Sequence, residues 1–104
     1  MRKRRYETLL PLKYNDGRPI EEELFEQTRE ELVAQFGGLC VQPNVVRGIW
    51  VQEGTRYEDE LLRYFVDVED TPENEQFFFN LKATLLERFE QIEIYIASHL
   101  VDTL

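Results

Sequence analysis

The sequence is poor in the residues that most often build metal and redox sites. Its 104 residues include one cysteine, Cys40, and one histidine, His99. A lone cysteine cannot form an internal disulfide, and a single histidine does not match the spacing of metal ligands. Cys40 lies in an apolar segment, which predicts a buried and unreactive thiol. We therefore predict no metal site and no cofactor.

Long apolar runs are also absent. The longest, Ile94–Ala97, is far shorter than the roughly 20 residues that a membrane-spanning helix needs. Nothing in the sequence resembles a secretory signal. These absences predict a cytoplasmic protein that does not contact a membrane.

Positive charge is scarce beyond the first few residues. Twelve Lys and Arg face twenty-one Asp and Glu, which gives a formal net charge of -9. Because four of the cations are consecutive, at Arg2–Arg5, the rest of the chain is more acidic still. We predict a flexible basic arm at residues 1–5 and a single domain at residues 6–104. An acidic domain repels phosphate backbones, which disfavours nucleic acid as a partner.

The spacing of apolar residues predicts six secondary-structure elements. Period-two alternation predicts strands, and three- to four-residue spacing predicts helices. A proline suits the first turn of a helix, so Pro19 and Pro72 mark the two helix starts, with Asp70 as the second N-cap. In chain order we predict a strand at Tyr6–Leu12, a helix from Pro19 to Phe36, a strand at Leu39–Val51 interrupted at Pro43-Asn44, a polar connection at residues 52–59, a strand at Glu60–Val68, a helix from Pro72 to Phe89 and a strand at Ile92–His99.

The two halves of the sequence match at an offset of 53 residues, the separation of Pro19 and Pro72. The matched apolar positions include Phe25, Leu32, Phe36 and Val41 in the first half, and Phe78, Leu85, Phe89 and Ile94 in the second. With this pairing and its β-α-β-β-α-β order, the chain resembles the ferredoxin-like, or α/β-plait, proteins. The resemblance implies an α+β fold, with a four-stranded antiparallel sheet in the order 4-1-3-2 and two helices on one face. Because that plan hosts many unrelated functions, it implies no particular activity.

One face of the predicted sheet has no further layer to cover it. Alternation places on it Leu9, Leu61, Arg63, Phe65, Tyr95, Ala97 and His99. An uncovered face that is half apolar and aromatic is typical of an interface or a ligand groove. We predict a homodimer that forms through this face or through the edge strand Leu39–Val51, and contact with another protein stays open.

Three residues of this face form the best candidate for catalysis. His99 is the side chain that ordinarily titrates nearest to neutral pH, and Tyr95 lies four residues earlier on the same face. Arg63 could hold an anionic substrate. The alternative interpretation is that His99 is an ordinary surface or interface histidine.

A second set of residues combines guanidinium groups with large aromatic rings on the predicted hairpin. Arg47 and Trp50 lie across the connection from Arg56 and Tyr57, and such groups could bind an anionic or aromatic ligand. The alternative is hairpin packing, in which Trp50 covers the sheet and Gly48 relieves a bulge. Together with two residues of the uncovered face, the predicted ligand or interface residues are Trp50, Arg47, Phe65, Leu61, Arg56 and Tyr57.

The sequence favours a self-associating protein-interaction domain and leaves open whether the protein is an enzyme. The first alternative is a small-molecule binding protein or enzyme, with its site on the uncovered sheet face of a dimer. A lesser alternative is an RNA-binding plait, which needs stacking aromatics on its central strands and a basic surface. Phe65 fits that requirement, but the first strand offers only Glu7 and Leu9, and the overall charge has the wrong sign.

Overall fold

The computed structural model describes residues 1–43 and 46–104 and has two helices and one antiparallel sheet, which confirms the predicted α+β class. The chain order is strand, helix, strand, strand, helix, strand. The elements are β1 (Arg2–Pro11), α1 (Glu22–Phe36), β2 (Cys40–Gln52), β3 (Thr55–Val68), α2 (Pro72–Arg88) and β4 (Tyr95–Asp102).

The sheet runs in the order β2-β3-β1-β4, with β1 and β3 in the centre. A short extra pairing extends it, because Lys13 and Pro19 form an antiparallel bridge beside the end of β1. The predicted count of four strands left this segment out. The bridge also explains why Pro19 does not start α1. Pro19 is one of its two residues, and the helix begins at Glu22.

Residues 2–5 belong to β1, so the prediction of a flexible basic arm is wrong for them. Their ion-pairing partners are distant in sequence. Arg2 pairs with Asp102, Arg4 with Asp70 and Arg5 with Asp67. Pro11 is the last residue of this central strand. The final residue pair between β1 and β4 is Leu9 with Tyr95, so Pro11 lies beyond it and no ladder bond with β4 is lost there.

The second helix begins at Pro72, as predicted, but its N-cap is Thr71 rather than Asp70. The Thr71 side chain accepts a hydrogen bond from the backbone N–H of Asn74 at 3.2 Å. Asp70 instead accepts from the Arg4 guanidinium. The 53-residue match therefore holds for the buried faces of the helices and fails at their starts.

β2 and β3 form a longer hairpin than predicted, with a two-residue turn in place of a polar connection. Glu53 and Gly54 both have positive φ, 51° and 79°. Such a pair is typical of the tight turn that matches the twist of a hairpin. The register shifts between Gln42 and Val46, near the predicted interruption at Pro43; Asn44 lies outside the described residues.

Both helices pack on one face of the sheet. Tyr6 stacks on Phe78 of α2 with ring centroids 4.0 Å apart, and the Tyr64 hydroxyl accepts a hydrogen bond from Arg29 of α1. Thr8 and Tyr64 are cross-strand partners on this face. The side chains of the core are Tyr6, Leu10, Tyr14, Ile20, Phe25, Leu32, Tyr64, Val66, Val68, Phe78, Leu81, Leu85, Phe89 and Ile94. The predicted last strand started at Ile92, but β4 begins only at Tyr95, and Ile92 is 93% exposed.

One arginine joins the two helices. Arg88 lies near the end of α2, and its side chain is only 9% exposed. It donates to the Thr28 hydroxyl and to both carboxylate oxygens of Glu31, at 2.9, 3.0 and 2.6 Å. A bidentate pair of this kind is strong and directional.

No helix in the described part of the chain is long and apolar enough to cross a membrane.

We predict that Arg88→Met lowers the free energy of unfolding by about 2–3 kcal/mol, because it leaves the half-buried Glu31 carboxylate without a cationic partner. The matched control is Lys82→Met on the same helix, whose pair with Glu93 is more exposed and should change stability by less than about 0.5 kcal/mol. Urea unfolding of both variants measures the difference. Equal losses would show that Arg88 does not join the helices.

Candidate functional site on the open face of the sheet

The face of the sheet opposite the helices, here called the open face, carries the alternate residues of every strand. The register places them in rows that run across the strands. These rows are His99–Arg5–Asp67, Ala97–Glu7–Phe65–Cys40, Tyr95–Leu9–Arg63–Gln42 and Pro11–Leu61–Val46. The open face is therefore a broad surface, and its polar groups must find partners within or between rows.

Two arginines lie over one phenylalanine at the centre of the open face. The guanidinium carbons of Arg5 and Arg63 stand 4.5 and 4.3 Å from the centre of the Phe65 ring. Each is held by a carboxylate on a neighbouring strand. Arg5 donates to Asp67 at 2.7 and 3.0 Å, and Arg63 donates to Glu7. Stacking of a cation on a ring adds about 0.5–1 kcal/mol at an exposed site, so the ring adds to what each carboxylate contributes in holding its arginine.

The row His99–Arg5–Asp67, near the first residues of β1, places basic side chains around one carboxylate. Hydrogen bonding from Arg5 lowers the pKa of Asp67, partial burial opposes this, and the charges of His99 and Lys3 lower the pKa further. The Asp67 carboxylate in turn raises the pKa of Arg5. Both partners are therefore ionised at neutral pH, and the pair is neutral as a unit.

The three candidate catalytic residues do not converge within one copy. His99 and Tyr95 are four residues apart on β4, about 13 Å along the strand. Arg63 is on β3, with β1 between it and Tyr95, and its guanidinium is engaged by Glu7. Their role as a catalytic set stays a prediction.

The predicted ligand residues of the β2–β3 hairpin, Arg47, Trp50, Arg56 and Tyr57, do not all lie on one side of it. Trp50 and Tyr57 are cross-strand partners on the open-face side, with ring centroids 6.1 Å apart and an interplanar angle of 20°. Arg47 and Arg56 pair with Glu60 and Val51, on the opposite side. The arginines and the aromatic rings therefore do not face one ligand together. A further concavity of about 270 Å³ at the base of the hairpin is lined by Pro11, Lys13, Arg47, Glu58, Asp59 and Glu60.

Net charge is segregated between the layers. The helical segments with their flanking loops, residues 13–36 and 69–93, hold fourteen Asp and Glu and five Lys and Arg, a net charge of -9. The remaining residues, which form the sheet, hold seven of each sign and sum to zero. On the open face, alternation balances Lys3, Arg5 and Arg63 against Glu7, Asp59 and Asp67. The whole formal charge of the protein therefore lies on the side of the helices.

Cys40 was expected to be buried, but it is exposed and sits opposite Phe65 on the open face. Sequence reasoning also missed Lys3 and Arg5, because a run of four cations suggests a solvated terminus. Their positions at every second residue were the available signal for a strand. Among residues 1–43 and 46–104, no group of three or more His, Cys, Asp or Glu comes together as a metal site.

A groove of about 360 Å³ lies beside β4, on the helix side of the sheet. Its apolar part includes Tyr6, Phe78 and Phe79, and the Phe79 ring is 63% exposed. Its polar lining is Arg4, Glu75, Lys82 and Ser98. Burial raises the pKa of Tyr6, so its hydroxyl stays protonated. Aromatic rings with a few polar groups in this volume suit a small organic ligand.

Comparison with known proteins identifies a structural likeness and no family. No family model matches the chain. No curated protein matches it either. Among solved structures, a phage SAM lyase in complex with S-methyl-5'-thioadenosine superposes with a TM-score of 0.57 and 12% identity, covering 97% of this chain and 90% of that one. At that identity, the likeness shows a shared fold.

We predict that Asp67→Asn lowers the free energy of unfolding at pH 7 by about 1–2 kcal/mol, below the cost of breaking a fully buried pair. Because the native pKa of Asp67 is lowered, the stabilisation exists above its unfolded pKa of about 3.9 and disappears as the pH falls through the native value. The two proteins should therefore converge in stability at strongly acidic pH. Urea unfolding across this range measures it.

The matched control is Asp102→Asn, which breaks the Arg2 pair between β1 and β4. Both side chains of that pair are more than half exposed. We expect a change of less than about 0.5 kcal/mol at any pH. A loss at Asp67 that persists unchanged in acid would contradict the assignment of the stabilisation to its ionised form.

Proposed function

We propose that this chain is a self-associating protein-interaction domain that pairs with a second copy through the open face. The observation that carries the proposal is the charge segregation. The helical layer holds the whole net charge of -9, so two copies repel one another there. The sheet layer sums to zero and presents Leu9, Phe65 and Tyr95, so two copies can approach through it without that penalty.

The size of the open face supports this pairing. β1 has ten residues, which gives a length of about 33 Å, and four strands give a width of about 19 Å. Each copy then contributes a projected area of about 600 Å², and both together about 1,200 Å², the lower end of stable specific interfaces.

Four charged groups at the centre of the open face are suited to burial because they already have partners. Arg5 and Arg63 are paired with Asp67 and Glu7 inside one copy. Burying a paired charge costs far less than burying an isolated one. Arginine and aromatic residues are also the types enriched at the centres of interfaces.

The proposal includes the finer description of the fold. The order β2-β3-β1-β4, with both helices on one face, supports a ferredoxin-like plait. The likeness to the phage enzyme is consistent with that plan. A cytoplasmic location and a role in contacting a further protein partner are part of the same proposal.

A charge placed on the open face tests the proposal. We predict that Leu9→Lys converts the dimer to a monomer, because each new ammonium group would lie near Arg63 and be buried without a partner. The measurement is the molar mass by light scattering, at concentrations where the wild type is dimeric. Circular dichroism confirms that the variant is folded.

The matched control is Ile92→Lys, the same chemical change at a fully exposed site that precedes β4. It should leave the dimer intact. Cys40 gives a second readout without mutation, since its thiol on the open face should react more slowly with a maleimide as the dimer forms. A wild-type chain that stays monomeric with a constant thiol rate up to high micromolar concentration would refute the proposal.

A second candidate function is binding of a small nucleoside-like molecule. Two observations favour it: the groove between β4 and α2, and the nucleoside thioether bound to the phage protein of similar fold. In the groove, Phe79 could stack on a base, and the Glu75 carboxylate could accept hydrogen bonds from ribose hydroxyls. His99, Tyr95 and Arg63 of the predicted set do not line this groove.

We predict that S-methyl-5'-thioadenosine, titrated by calorimetry, binds the wild type and binds Phe79→Ala at least about tenfold more weakly, the loss expected for one stacked base. Phe77→Ala on the same helix is the control, because Phe77 does not line the groove. Binding that is unaffected by Phe79→Ala, or no binding at all, would remove this candidate.

A further inference from the structure

The β2–β3 hairpin extends beyond the rest of the sheet. β1 pairs with β3 only as far as Leu61, and a last backbone hydrogen bond joins Leu12 to Glu60. From Glu60 back to Thr55, next to the hairpin turn, β3 has β2 as its only neighbour among the named strands. We call the segment from Arg47 to Glu60 the arm. Two strands by themselves are marginally stable in water, so an arm of this kind needs a surface to pack on.

The arm carries large apolar side chains on both sides. On the open-face side, Trp50 is 42% exposed and Tyr57 is 45% exposed. On the other side, Ile49 and Val51 are exposed as well. The charges divide unevenly, since the open-face side of the arm contains only Asp59, whereas Arg47, Arg56, Glu58 and Glu60 lie on the other side. The open-face side is therefore the apolar one.

The apolar side of the arm continues directly into the open face. Gly48 lies between Trp50 and the body of the sheet, where an added Cβ would stand 3.2 Å from Leu61 Cδ1 and 3.4 Å from the Trp50 ring. The absent side chain allows the indole to lie beside Leu61. Tyr57, Trp50 and Leu61 thus form one ridge that leads to Phe65.

We infer that the arm is a clasp, whose apolar side lies across the open face of the second copy, with Trp50 and Tyr57 on the strip formed there by Leu9, Tyr95 and Ala97. The inference rests on the proposed dimer and adds to it. A second copy is the occupant because the arm is continuous with the proposed interface and complementary to it in charge. The apolar side of the arm carries one negative charge, Asp59, whereas the rest of the open face sums to +1, with Lys3, Arg5 and Arg63 against Glu7 and Asp67. Six residues per strand give it a reach of about 20 Å, close to the width of a four-stranded sheet.

The single tryptophan tests the clasp in the unmodified protein. Trp50 is the only tryptophan of the chain, so its emission reports on the arm alone. We expect its emission maximum to shift to shorter wavelength, and its quenching by iodide to fall, over the same concentration range in which the molar mass doubles. This readout needs no substitution.

Two substitutions on opposite sides of the arm give the matched comparison. Tyr57→Ser removes a ring from the apolar side and should raise the dissociation constant of the dimer at least about tenfold, as for a central interface aromatic. Val51→Ser removes an exposed apolar side chain from the other side and should change it by no more than about twofold. Analytical ultracentrifugation measures both.

The outcomes separate the clasp from the dimer itself. If the mass doubles and Cys40 becomes protected while Trp50 emission stays constant, the clasp is refuted and the dimer through the open face stands. The clasp is also refuted if Val51→Ser weakens the dimer as much as Tyr57→Ser. If neither the mass nor the Cys40 reactivity changes with concentration, the dimer and the clasp fail together.

Discussion

The structure depends on the position of its two helices, which both cover the same face of the sheet. The other face therefore has no layer of this chain over it. That covering buries an aromatic and aliphatic core, with Tyr6 stacked on Phe78 and Phe89 fully enclosed. Arg88 then joins the helices through Thr28 and Glu31, so the covering layer is cross-linked by hydrogen bonds. The other face must be stable in water by itself, and its composition follows from that requirement.

The open face meets this requirement with internal ion pairs rather than with simple polarity. Each arginine over Phe65 has a carboxylate on an adjacent strand, which satisfies the guanidinium and leaves the ring partly accessible. A surface built in this way is neutral and aromatic, so it is compatible with water and with the proposed second copy. The groove beside β4 is different, since it lies on the helix side of the sheet and is lined by other polar residues, such as Glu75. The proposed self-association and the candidate ligand binding thus involve separate parts of the molecule.

The parts of the fold that could be predicted were those with local periodic signals. Alternation in β3 placed Tyr64, Val66 and Val68 on the buried face, and helical spacing placed Phe78 and Leu85 there too. The basic N-terminus could not be read correctly because its carboxylate partners lie 62 to 100 residues away along the chain. Pro19 was misplaced because its bridge to Lys13 depends on the end of β1. For the candidate site, alternation identified Arg63 and Phe65, whereas Arg5 became visible only once residues 2–5 were seen to be a strand.

The segregation of charge gives the molecule an electric dipole moment perpendicular to the sheet, with its negative end at the helices. Two copies joined through their open faces would point these dipoles in opposite directions, so the moments would cancel. Both outer surfaces of the pair would then be acidic helical layers, which repel every additional copy. Growth would stop at two, because the negative charge of the helical layers would oppose the addition of a third copy.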